Sequence, residues 1–193
     1  MQRIATTVLG IVGAPDDDRL RVLAAALGEG ANVRAVLPDA GEPPLDRAVE
    51  AWREAARAHV PFIVHDADPL AEVAAAWRER WEGSDEVGRL EVAAHGVLQR
   101  WRAGSLQLPD YYLVVGADVL PAIARHWYLG VLATAASHRV VISDDDPDAL
   151  ARAVRGLRAG RWWPDLVKLL GSLERAVPDR FAVGASDEPT LLV

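Results

Sequence analysis

Apolar residues in this chain fall into short unbroken runs, separated by stretches in which they recur every three or four positions. Continuous runs read as strands buried on both faces, and the 3.6-residue recurrence reads as amphipathic helix. The runs cover residues 4–12, 33–37, 62–64, 111–115 and 139–142. Leu20, Leu23 and Leu27 mark a helix after the first run, and Leu45, Val49, Trp52 and Ala56 mark one after the second. Two helices precede the fourth strand, one on Leu70, Val73, Trp77 and Trp81 and one on Val87, Leu90, Ala94, Val97 and Trp101. An apolar helix is expected over 119–136. After the fifth strand come a helix on Leu150, Val154 and Leu157, a break at Gly160, and a last helix on Leu166, Leu169, Leu170 and Leu173. Strands alternating with helices predict an α/β fold. The expected form is a three-layer sandwich, Rossmann-like in the loose sense, with a mostly parallel sheet of about five strands and helices on both faces. No linker divides the chain, so residues 1–193 read as a single domain. Within it, 70–103 form a helical insertion between strands three and four, and 177–193 form a tail or edge strand.

The strand-like runs stop at acid. Asp16, Asp17 and Asp18 follow the first, Asp39 the second, Asp66 and Asp68 the third, Asp118 the fourth, and Asp144, Asp145 and Asp146 the fifth. Ligands of open α/β sheets bind outside the carboxyl ends of the strands, so these acids converge on the expected site. Aspartate also starts helices. Asp68-Pro69 and Asp146-Pro147 have the form of a capping residue followed by proline at the first helical position, and Asp16 to Asp18 and Asp118 read the same way. Capping leaves over Asp66, Asp144 and Asp145. Clustered carboxylates repel one another and demand a cation, and magnesium suits such a set.

Residues 62–68, Phe-Ile-Val-His-Asp-Ala-Asp, resemble the first motif of haloacid dehalogenase-like phosphatases, and 140–145 resemble their late acidic motif. The resemblance implies Asp66 as nucleophile, Asp68 as general acid, and Asp144 and Asp145 as magnesium partners. The chain departs from that pattern by placing the motif on its third strand, by Pro69, and by having its one lysine, Lys168, after the late acids. Residues 8–17 and 63–67 are similar to the opening strand and a later Asp-Ala strand end of hydrogenase maturation proteases. That likeness implies nickel sensing through Asp16 or Asp17 and Asp66. The Gly-Asn-Pro of their opening motif is missing here.

Composition narrows the chemistry. There is no cysteine, which removes disulfides, thiolate catalysis and Cys-ligated zinc. No Gly-Lys-Ser/Thr triplet exists, which removes a standard P-loop, and no Gly-x-Ser-x-Gly elbow is present. A net charge of −7 argues against general nucleic-acid binding. No apolar stretch reaches membrane-span length without charge, because 119–136 carries Arg125 and His126. A cytoplasmic location is expected. Of five histidines, His65 stands out by adjoining Asp66 at a strand end. Seven tryptophans is a high count, and Arg161-Trp162-Trp163 at a helix junction offers either a plug between the last helices or an exposed anchor for a partner.

Together these features favour a soluble accessory or regulatory protein that binds a protein partner, a second copy of itself or a small ligand, with Arg161, Trp162 and Trp163 as the partner surface. The alternative is a magnesium-dependent hydrolase or phosphoryl-transfer enzyme. There Asp66 and Asp145 are catalytic and Asp66, Asp144 and Asp145 hold the metal. The maturation-protease likeness stands outside both; the cofactor is left open, with magnesium expected if the enzyme reading holds.

Overall fold

The computed structural model describes residues 6–14, 18–83, 87–158 and 160–178. Five strands form one sheet: β1 (Thr7–Val12), β2 (Val33–Ala35), β3 (Phe62–His65), β4 (Tyr111–Val115) and β5 (Val140–Ser143). Every pairing is parallel, and the order is β2-β3-β1-β4-β5. The helices are α1 (Arg19–Gly28), α2 (Pro44–Arg57), α3 (Ala71–Glu82), α4 (Arg89–Arg102), α5 (Ala122–His126), α6 (Ala133–Ala135), α7 (Pro147–Arg155) and α8 (Leu166–Gly171). A π-helical segment, Trp127–Leu132, joins α5 to α6. The sheet with helices on both faces is the three-layer α/β sandwich expected from the apolar pattern.

The strand order dictates where the helices lie. From β1 the chain moves past β3 to the edge strand β2, whereas every later crossover runs the opposite way along the sheet. Parallel crossovers are right-handed, so α1 must cover one face and the other crossover helices the opposite one. The core divides accordingly. Leu23, Ala24 and Leu27 of α1 pack with Leu9, Ile11, Val64 and Leu113, joined by Leu150 and Val154 of α7. On the other face, Val8, Val12, Ile63, Tyr112 and Val114 meet α2, α3, α4, the π segment and α8.

Local details differ from the helical stripes read in the sequence. The deepest face of α2 is Ala48, Ala51 and Ala55, because small side chains let the helix approach the sheet closely. Val87 precedes α4 and is exposed. The helix expected over 119–136 begins only at Ala122, after Pro121, so Asp118 lies in the preceding turn and caps nothing. Residues 179–193, most of the expected tail, lie outside the described residues, as do Asp16 and Asp17. Among the described residues no helix is long and apolar enough to cross a membrane.

Candidate functional site

β1 sends the chain to the α1 face, while its neighbours β3 and β4 send it to the other. Such a reversal leaves a crevice at the carboxyl ends of the strands. A cleft of about 780 Å³ occupies it between the ends of β1 and β3, roofed by α2, α3, α4 and the π segment. α3 lines it with Ala71, Ala74, Ala75 and Arg78, an i, i+3, i+4, i+7 stripe that puts all four on one helix face. The three alanines leave the space open, and Arg78 stands at the end of their row.

Asp66, the first residue beyond β3, is the electrostatic centre of the wall. Its side chain is 6% exposed and meets two guanidinium groups, Arg47 of α2 at 2.8 Å and Arg21 of α1 at 3.5 Å. Arg21 also donates to the carbonyls of Leu37 and Pro38, which fixes it beyond the end of β2. The arrangement leaves Asp66 Oδ1 and Arg47 Nε enclosed without a hydrogen-bond partner, and the same holds for Trp127 Nε1. All three side chains line the cleft.

Asp68, two residues on, meets only neutral donors. Its Oδ1 accepts from the Leu70 amide at 2.8 Å and from the Tyr112 hydroxyl at 3.0 Å. Its Oδ2 accepts from the Tyr128 hydroxyl at 3.3 Å. Burial pushes this carboxyl above the usual aspartate range, opposed by those hydrogen bonds. Burial and the nearby carboxylate push both tyrosines well above theirs. Tyr128 comes from the π segment, and single π turns within helices recur at functional sites. His65 lies behind the cleft with its ring buried. Desolvation lowers its pKa to about 4, against the smaller upward pull of Asp66, so it is neutral at pH 7.

The remaining acids are not gathered here. β3 and β5 are separated by β1 and β4, which sets their strands about 14 Å apart at the usual inter-strand spacing. Asp145 forms an exposed pair with Arg19 at 2.9 Å, and Asp144 is exposed. Helix α1 thus stands between the two acids, with Arg19 on Asp145 and Arg21 on Asp66. Among the described residues no group of three or more His, Asp or Glu side chains could hold a metal ion. Asp146 caps α7 through the Ala149 amide, as its Asp-Pro form predicts.

The tryptophan pair is the plug between helices. Trp163 is 7% exposed, donates to the Pro109 carbonyl at 2.8 Å and meets Tyr112 edge-on. Trp162 is half-buried beneath the Arg139 guanidinium, 4.4 Å from its ring centre, and only Arg161 is fully exposed.

Sequence reasoning located Asp66 and Asp68 but missed Arg21, Arg47, Arg78, Tyr112 and Tyr128. One signal for Tyr112 was present: a tyrosine in a central buried strand needs an acceptor for its hydroxyl. The arginines gave none, since a guanidinium on an amphipathic helix looks the same whether it faces solvent or a cleft. Compared with known proteins, the chain matches no protein-family model, no curated protein and no solved structure.

Proposed function

We propose that the protein binds a small polar molecule in the cleft at the carboxyl ends of β1 and β3. The observation that carries this reading is the set of enclosed, unpartnered polar atoms on cleft-lining side chains: Asp66 Oδ1, Arg47 Nε and Trp127 Nε1. A buried polar atom left unpaired costs about 1–3 kcal/mol, so three around one cleft ask for a ligand or ordered water to satisfy them. The volume of about 780 Å³ suits a metabolite-sized molecule. Of the targets expected for an accessory or regulatory protein, this favours the small ligand over a protein partner or a second copy. Trp163, 7% exposed, offers little surface to a partner, which adds weight to the small-ligand reading.

The test is thermal unfolding of the full chain with AMP, ribose 5-phosphate, citrate, glutamate or glucose, repeated with Ala75→Phe to fill the cleft. A ligand at about a hundredfold excess over Kd adds about 2.7 kcal/mol, several degrees in Tm for a domain of this size. The expected result is a rise with at least one compound that disappears in the folded Ala75→Phe variant. No rise with any of the five, or a rise that survives the filled cleft, overturns the reading.

A further inference from the structure

We infer that the ligand carries an oxyanion, a phosphate or carboxylate group, seated against Arg78 and the Arg21–Arg47 pair. This rests on the cleft being a ligand site and goes on to give the chemistry of what it takes. The whole chain is acidic, with a net charge of −7, so a positive interior is not inherited from the surface as a whole. Yet three guanidinium groups, those of Arg21, Arg47 and Arg78, line the cleft. Asp66 is one carboxylate shared between two guanidinium groups, so this trio retains a positive charge. Arg78 adds a second, half-buried and making no ion pair among the described residues.

Among the described residues, the other acids that line the cleft are Asp18, Asp68 and Glu72. Asp18 and Glu72 are exposed, and the remaining cleft arginine, Arg89, is already paired with Glu79. Asp68 is the third of these acids and is the least exposed of them. Its two oxygens are engaged by the Leu70 amide and by the Tyr112 and Tyr128 hydroxyls. Neighbouring His65 is neutral at pH 7 and adds no charge of its own. Guanidinium forks match the geometry of phosphate and carboxylate oxygens, and enclosure strengthens such hydrogen bonds. The Tyr128 hydroxyl adds a neutral polar group to the same cleft.

Calorimetric titration of the full chain at constant ionic strength tests this, with pyrophosphate and citrate as the two oxyanion probes and glucose as the neutral one. At least one oxyanion is expected to bind and glucose not to, and the stronger of the two identifies the group. Arg78→Ala is expected to weaken binding roughly tenfold to a hundredfold, the worth of one charged hydrogen-bonding partner, with unchanged thermal stability of the free protein. Arg78→Lys should restore only part of it, because an ammonium lacks the fork. Binding of glucose without either oxyanion would overturn this inference while leaving the cleft as the site. So would oxyanion binding abolished by Ala75→Phe but indifferent to Arg78→Ala. Oxyanion binding indifferent to Ala75→Phe would instead overturn the cleft itself.

Discussion

Asp66 and Asp68 are two residues apart, yet their partners differ in kind. Asp66 is held between guanidinium groups, whereas Asp68 receives an amide and two hydroxyls. His65, directly before them, makes stability depend on pH. Its folded pKa of about 4 lies below the ordinary 6.5, so between those values the unfolded chain holds a proton that the folded one lacks. Stability therefore falls as pH drops through that window, by about 2 kcal/mol between pH 7 and 5, and levels off below about pH 4. Asp68 acts in the opposite sense. Its folded pKa is raised above 3.8, so the folded state takes up that proton first and acidification favours folding. Urea unfolding at pH 7, 6 and 5 in an Asp68→Asn background isolates the histidine. The expected loss on acidification should shrink sharply when His65→Leu is added; an identical loss in both variants would remove His65 as its cause.

At the scale of elements, two identical dipeptides end differently. Asp146-Pro147 caps α7 as written, but after Asp68-Pro69 the helix starts late, at Ala71, with Leu70 in the capping position and no side-chain cap. Asp68 still accepts the Leu70 amide but spends its other bonds on Tyr112 and Tyr128. The chain pattern specifies a helix start in both places; what surrounds the aspartate decides its second role, and only the fold supplies that. The π segment was equally invisible, since an apolar stretch over 119–136 looks the same with or without a one-residue shift of register. Gly130 is its one sequence mark. A Cβ there would lie 2.6 Å from the His126 ring, which is stacked nearly parallel on Trp77 with ring centres 6.1 Å apart. Gly130→Ala is therefore expected to cost about 2 kcal/mol through overpacking. Adding His126→Ala should recover most of that cost, so that a double-mutant cycle gives a coupling well beyond about 0.5 kcal/mol. Additive effects in urea unfolding would show that the ring is free to move aside.

At the scale of the whole molecule, the number of strands and the α/β class were legible because buried strands and amphipathic helices have different periods. The strand order was not. Nothing in residues 62–65 says that β3 inserts between β2 and β1, yet that insertion sets Asp66 beside β1 and creates the cleft. The order has a second consequence. α7 lies on the α1 face and α8 on the other, so residues between them must pass around the amino end of the sheet. Arg139, 5% exposed, fastens that passage. It donates to the carbonyls of Gly160 at 3.0 Å, Arg161 at 3.2 Å and Asp110 at 3.4 Å, and its guanidinium faces the rings of Tyr111 and Trp162. Arg139→Ala strips a donor from each carbonyl and both ring contacts, an expected loss of about 3 kcal/mol. The loss should be local. Hydrogen exchange is expected to quicken in residues 162–175, which the arginine ties down, while β1 and β4 keep the slow exchange of the sheet centre. Arg139→Lys should not restore protection, because one ammonium cannot span three carbonyls as a planar fork does. Equal quickening across β1, β4 and 162–175 would mean that Arg139 supports the whole fold, and that α8 and the passage leading to it do not open as a separate unit.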